Sequence, residues 1–297
     1  MRYIDLVVID EAHIPFMAYE QDFRSNLIAL RRILQGTQTL FLSATIPPAF
    51  TKRFKEYYGL SGLKEIRKQT NRPNLKYSVQ QQAGGITKQI ALIKSLLSEH
   101  EVFIGLGKVI IYCRSKQVAN DVGQQLGYLV YHAERDDEER VQTLEKFKGV
   151  GPDNQVIAAT GALGGVWSLS DFAQESGRGG RDGNPALSII INNAFSVSRQ
   201  PQVTNQERHL LEYYNTTTCR RLVLSSFLDG TGGDCFSTQE NMLCDLCQEK
   251  SAMDERELPL EGSVIRLAST LPGSMMSSWY DHGNALSSQL VGSIGTP

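Results

Sequence analysis

Long apolar runs are missing from this sequence of 297 residues. None approaches the roughly 20 residues that a membrane-spanning helix needs, and no signal-peptide pattern opens the chain. A basic excess is missing too: 30 Lys and Arg stand against 32 Asp and Glu, for a formal net charge of −2. That balance excludes gripping nucleic acid by bulk charge, while leaving open local backbone and hydroxyl contacts to a single strand. Cysteine is scarce, five in all, and four of them sit late at metal-like spacing. Such spacing suits a reducing, intracellular compartment rather than a disulfide framework. No internal repeat is present. No G-x-x-x-x-G-K-[ST] run occurs either, the loop whose amides and lysine cradle nucleotide phosphates. What is there, 41% hydrophobic and 21% charged, is enough for two modest domains.

The most informative stretch is Gln174-Glu-Ser-Gly-Arg-Gly-Gly-Arg-Asp-Gly183. It spaces Arg178 and Arg181 one helical turn apart, with glycines that let backbone come close to a ligand. Forked, permanently charged guanidinium groups fit phosphate oxygens. The plainer alternative is a loop followed by a surface helix with two solvated arginines. A second stretch, Leu6-Val-Val-Ile-Asp-Glu-Ala-His13, reads as a buried strand with Asp10 and Glu11 at its carboxyl edge, where open α/β sheets bind ligands. Asp10 is suited to hold Mg2+ and Glu11 to polarise a water attacking a γ-phosphate; a solvated turn is the alternative. Two further apolar runs, Thr39-Leu-Phe-Leu-Ser-Ala-Thr45 and Lys108-Val-Ile-Ile-Tyr-Cys-Arg114, read as strands.

The late cysteines Cys219, Cys235, Cys244 and Cys247 include one Cys-x-x-Cys knuckle. Two thiolates on a tight turn and two more from nearby complete a tetrahedral Zn2+ shell; reduced thiols or two disulfides are the alternatives. Cys113 lies on an apolar strand and reads as a core thiol.

Strand-like and helix-like segments alternate, which implies an α/β class with parallel sheets. Residues 1–72 read as strand, helix (Phe23 to Leu34), strand and helix, ending at a hinge around Asn71-Arg72-Pro73. Residues 73–195 read as a fuller lobe. Its strands fall at Leu75–Val79, around Cys113, at Tyr128–Tyr131, Gln155–Ala159 and Ala186–Ile191. Its helices fall at Thr87–Ser98, Ser115–Leu126 and Asp136–Phe147, with the arginine stretch opening or sitting in another. Residues 196–250 read as helices bracketing the knuckle. Residues 251–297, rich in Ser, Gly and Met, read as mostly disordered.

Taken in order, these motifs resemble a superfamily 2 helicase, and their details resemble the RecQ-like DNA helicases. The Asp-Glu-Ala-His box, Asp22-Phe-Arg24, Ser43-Ala-Thr45, Val109-Ile-Ile-Tyr-Cys-Arg-Ser115, Ala158-Ala-Thr-Gly-Ala-Leu-Gly-Gly165 and the arginine stretch carry the likeness, over roughly residues 3 to 250. The resemblance implies a partial first RecA-like lobe, a second RecA-like lobe and a small helical four-cysteine zinc subdomain. It implies an ATP-dependent, 3′-to-5′ DNA helicase of repair and recombination, using ATP with Mg2+, and Zn2+ at the four cysteines. Single-stranded or partly duplex DNA would be the partner, with no membrane, in the nucleus. Asp10, Glu11, Arg178 and Arg181 would be catalytic; Asp10, Gln174, Gly177 and both arginines would bind nucleotide. His13, Ser43, Thr45, Arg114, His132 and Thr160 would couple the lobes or touch DNA, although His132 also reads as a strand-end histidine satisfied by backbone.

The sequence departs from that family in three places. The phosphate loop and the segments around it, which precede the box in the family, are absent, so the chain reads as amino-terminally truncated. The remaining half-sheet is expected to bare an apolar face. Between Gly165 and the arginine stretch only Val166 to Ala173 intervene, so the second lobe reads as short of one strand. The loop after His13, Ile14 to Tyr19, keeps two aromatics and lacks the usual tryptophan. The alternative function is therefore an inactive helicase remnant that binds DNA or a partner without turning over ATP.

Overall fold

A computed structural model describes residues 4–14, 34, 36–100, 107–160, 168–192, 205–257 and 289–294. The helix read over Phe23–Leu34, the Asp22-Phe-Arg24 motif, most of the Ile14–Tyr19 loop and residues 161–165 of the Ala158 motif lie outside these, save Leu34. The amino-terminal sheet is small. Strands β1 (Leu6–Ile9) and β2 (Gln38–Phe41) pair in parallel, Leu6 opposite Gln38 and Ile9 opposite Phe41. Because side chains alternate along a strand, Val7, Ile9 and Phe41 face helix α1 (Thr51–Tyr58) and pack near Phe54 and Tyr58. Leu6, Val8 and Leu40 face the other way and stay exposed. This is the bared apolar face anticipated for a half-sheet.

The second sheet contains β3 (Leu75–Gln81), β4 (Lys108–Cys113), β5 (Leu129–Tyr131), β6 (Val156–Thr160), β7 (Ala186–Asn192) and β8 (Gln289–Ile294). Their spatial order is β3-β7-β8-β4-β6-β5, and every pairing is parallel. Parallel sheets are stable when both faces are covered, and here both are. Helices α2 (Ile86–Glu99) and α3 (Lys116–Leu126) bury Ile90, Ile93, Val118 and Val122 against Val109, Ile111 and Ile189. On the opposite face, α5 (Leu169–Ser176), α6 (Asn205–Asn215) and α7 (Arg220–Asp229) close over Leu75, Tyr77 and Ile190. Helix α4 (Asp137–Lys148) buries no residue and follows β5 as a charged outer helix; α8 (Asp245–Glu257) carries Cys247 in its first turn, with Cys244 just ahead of it.

Local chemistry sets the helix ends. Ser115, Asp136 and Ser168 each accept a hydrogen bond from a first-turn amide, of Val118, Glu139 and Asp171 respectively. A cap of this kind stabilises by roughly 1 kcal/mol. Gly59 and Gly127 end their helices in the left-handed region open to glycine.

Two features differ from the sequence reading. Beyond its first three residues the arginine stretch is not helical: α5 stops at Ser176, and residues 177–184 form turns and bends. Glycines at 177, 179 and 180 disfavour helix, and Gly180 has φ +56, where an added Cβ would lie 2.6 Å from the Asn184 carbonyl oxygen. The second lies in the carboxyl-terminal tail, read as mostly disordered. Helix α8 runs into it as far as Glu257, and Gln289–Ile294 form a central strand of the large sheet.

Candidate functional site

Strand β1 delivers Asp10 and Glu11 at its carboxyl end. Ala12 is fully buried; its amide bonds the Leu42 carbonyl at 2.9 Å and its own carbonyl accepts from the Tyr58 hydroxyl at 2.9 Å. This pins the turn to β2 and α1. Glu11 sits at φ +48, the sole non-glycine residue with positive φ among those described. Side chains with a Cβ avoid that region at a cost of about 1–2 kcal/mol, and such strain concentrates at functional sites. Asp10 is exposed and its Oδ1 accepts from the Glu11 amide at 2.9 Å.

Around Glu11 the two lobes meet. Gln174 of α5 donates from Nε2 to Glu11 Oε1 at 3.0 Å. Glu11 Oε2 approaches His13 Nδ1 to 3.3 Å, yet is buried without a hydrogen-bond donor. His13 is itself buried; Ser43 Oγ lies 2.9 Å from its Nδ1, and Thr45 Oγ1 3.5 Å from its Nε2. Burial lowers the His13 pKa, opposed by the charge of Asp171. Ser170 of α5 donates to the Thr45 carbonyl at 3.3 Å. The box, the Ser-Ala-Thr segment and α5 thus form one polar contact across the lobes.

Beside this contact opens a cavity of about 850 Å3, lined by Glu11, Ser43, Thr45, Gln174, Gly177, Arg178 and Arg181 among others. Six cations and three carboxylates line it, so it favours anions. Arg178 and Arg181 are exposed, and Arg181 donates to the Gly177 carbonyl at 3.4 Å. Glu175, next to them, is buried with Oε2 unpartnered. Desolvation, aided by Asp171, pushes its pKa up to about 8 against the pull of Arg178.

The remaining sequence candidates lie elsewhere. Arg114, Thr160 and His132 stand at the carboxyl ends of the adjacent strands β4, β6 and β5 and do not line the cavity. His132 is buried, with Nε2 3.0 Å from Asn120 Oδ1. Its partner is therefore a side-chain amide rather than a backbone carbonyl.

Sequence reasoning missed the residues that shape the arginine turns. Arg72 donates to the carbonyls of Gly177, Gly179 and Gly180 at 3.0, 3.0 and 2.8 Å. Asn74 donates to Gly180 and Asn184 at 2.7 and 2.6 Å. The linker that supplies them also sends Lys64, Arg67 and Lys68 to the cavity wall. The signal available in sequence was the basic run Lys64-Glu-Ile-Arg-Lys-Gln-Thr-Asn-Arg72 ahead of Pro73.

The cysteine segment grips the same linker. Buried Arg221 donates to Asn71 Oδ1 and to the carbonyls of Arg72, Leu75 and Met242, at 2.5 to 3.1 Å. Asp229 accepts from the Thr70 amide at 3.1 Å, and Arg220 pairs with Asp245 at 3.0 Å. Cys219, Cys235, Cys244 and Cys247 are all buried, with their sulfurs within 4.8 Å of one another and no disulfide formed. Four thiolates around a zinc-sized ion, at about 2.3 Å each, stand roughly 3.8 Å apart, so the cluster fits a tetrahedral metal. Hydrogen bonds from Cys235, then Cys244, favour the Cys219 thiolate, while Cys235 is pushed the other way by its bonds to Cys219 and Cys244.

No protein-family model matches the chain. Among curated proteins, it is 29% identical to a putative ATP-dependent DNA helicase Q1 of Caenorhabditis briggsae, over 84% of this chain and 44% of the relative. It is 27% identical to the RecQ-like DNA helicase BLM of Xenopus laevis, over 87% and 22%. It is 26% identical to the ATP-dependent DNA helicase RecQ of Haemophilus influenzae, over 81% and 42%. A solved structure of S. cerevisiae Dbp5 bound to RNA and ADP BeF3 superposes with a TM-score of 0.52 at 18% identity, covering 72% of this chain and 58% of that one. At that identity it speaks for the RecA-like fold alone. The resemblance carried by the motifs is borne out: over more than four-fifths of its length this chain is similar to RecQ-type DNA helicases, and it spans less than half the length of these curated relatives.

Proposed function

We propose that the cleft between the lobes receives the phosphates of ATP, and that the chain forms part of a RecQ-type DNA helicase motor of 3′-to-5′ polarity acting in repair and recombination. The observation that carries this reading is the meeting of Glu11 with Gln174 beside the cavity lined by Arg178 and Arg181. Asp10, exposed at the strand end, would hold Mg2+. Glu11 is a carboxylate with one oxygen free of donors, suited to orient the attacking water. Arg178 and Arg181 would neutralise charge on the transferring phosphoryl group, an effect of about 10³–10⁵ in kcat where such an arginine acts. Ser43, Thr45 and His13 tie that event to α5 and so to the second lobe. Arg114, Thr160 and His132, on neighbouring strand ends, are the proposed contacts to single-stranded or partly duplex DNA. Zn2+ at the four cysteines would stiffen the segment that holds the linker. The nucleus is the proposed location.

A second reading rests on a different observation: no phosphate-cradling glycine-lysine loop occurs in these residues. In that reading the chain binds DNA or a partner and does not turn over ATP. ATP hydrolysis by the purified chain, with and without single-stranded DNA, separates the two. DNA-stimulated turnover that disappears in Glu11→Gln supports the motor. Turnover no greater than in Glu11→Gln supports the non-hydrolysing reading.

A further inference from the structure

The second-lobe sheet is assembled from two groups of strands that do not bond each other directly. β3 and β7 form one pair; β4, β6 and β5 form the other group. Among the described residues, only β8 links them by backbone hydrogen bonds, pairing with β4 on one side and β7 on the other. Register sets Leu290 between Val109 and Leu187, Gly292 between Ile111 and Ile189, and Ile294 between Cys113 and Ile191.

The position demands a strand. Every residue of β7 is buried, as are most of β4. Backbone N–H and C=O groups facing an empty slot between them would be buried without partners, each costing about 1–3 kcal/mol. The chain nearby cannot supply the strand: only residues 161–167 separate β6 from the Ser168 cap of α5, too few for a strand and its two connections. The strand comes instead from beyond the cysteine segment.

We propose that Gln289–Ile294 is an internal strand complement, filling the slot between β4 and β7 in cis and thereby fixing the arginine turns against the β4–β6 half of the lobe. Those turns run from Gly177 to Pro185 directly into β7, so their anchorage to β4 passes through β8. The 31 residues from 258 to 288 tether the strand. Fully extended, a chain of that length reaches at most about 110 Å, and a flexible linker holds its end at roughly millimolar effective concentration. That exceeds the micromolar level at which another copy would compete, which favours the chain's own segment. The inference holds whether or not the cleft hydrolyses ATP.

Hydrogen exchange on the full chain tests it, with light scattering at the same concentration and a free peptide of Ser287–Pro297 as reference. Amides of 290–294 are expected to exchange at least tenfold slower in the chain than in the peptide, with the chain monomeric. Val291→Pro removes one ladder N–H from a central strand and is expected to lower protection in both β4 and β7 at least tenfold. Exchange at peptide rates in the unaltered chain overturns the proposal. So does protection confined to a dimer, which would mean strand exchange between copies, and so does unchanged β4 and β7 protection in a folded Val291→Pro chain. Should that variant fail to fold, the unaltered chain's exchange and mass decide alone.

Discussion

The two sheets of this molecule face the same physical requirement and meet it differently. The six-stranded sheet is covered on both faces and gripped at its edge by buried Arg221 from the cysteine segment. The two-stranded sheet has one packed face, and on the other Leu6, Val8 and Leu40 are about half exposed, at 49%, 53% and 47%. Parallel strands gain stability from covering both faces. The difference teaches where precision resides: Glu11 sits on the less supported sheet, and its geometry is completed by Gln174 and Ser170 reaching from the better supported one.

The sharpest way to break the contrast is to dismantle the grip of the cysteine segment. Chelation, or Cys247→Ser, is expected to unfold the region around α7 and α8 and to loosen residues 70–75. Structural zinc contributes about 10–16 kcal/mol apparent in small zinc peptides. Metal analysis with hydrogen exchange checks this; a chain without metal and unaltered by chelation would refute the zinc reading. Next in size, Arg221→Met strips donors from three carbonyls and from Asn71, and is expected to destabilise by about 3 kcal/mol in a denaturant titration.

Glu175→Gln acts at the arginine turns and should depend on pH. The folded carboxyl is pushed up to about 8 from 4.5, so between those values the folded state binds the extra proton and the unfolded state does not. Its favourable contribution is present below 4.5 and fades as pH rises towards 8. The amide is therefore expected to stabilise by about 2–3 kcal/mol at pH 7 and by little at pH 4. His13 works in the opposite direction. Its pKa is lowered on folding, so its contribution is present above about 6.5 and is lost as pH falls. Thermal melts of wild type and Glu175→Gln from pH 4 to 8 check both. The smallest effect is expected at the bare face: Leu40→Thr should change stability by less than about 0.5 kcal/mol and reduce aggregation, measured by light scattering.

Much of this was legible in the sequence, for reasons that are local. Ser115 and Asp136 announce their helices because caps act within one turn. The cysteine cluster was readable because a Cys-x-x-Cys turn brings two of the four thiols together. Pairings distant in sequence were not readable. Gln174 meets Glu11 across 163 positions, and Arg72 meets Gly177 across 105. Neither residue type announces its partner, and the linker read only as a hinge around Asn71-Arg72-Pro73. The end of α5 at Ser176 reflects glycine and the φ +56 of Gly180, against an arginine spacing that suggests helix. Strand β8 is six residues in a tail poor in periodicity, and its place between β4 and β7 rests on pairings distant in sequence.

The central claim, that phosphates bind between the lobes, is tested most directly by titrating the full chain with a non-hydrolysable ATP analogue and Mg2+, beside Arg178→Ala and Arg181→Ala. Both arginines are exposed, so the substitutions leave the core alone. Saturable binding that weakens at least tenfold in each variant is the expected result. No binding, or binding indifferent to both arginines, would contradict it.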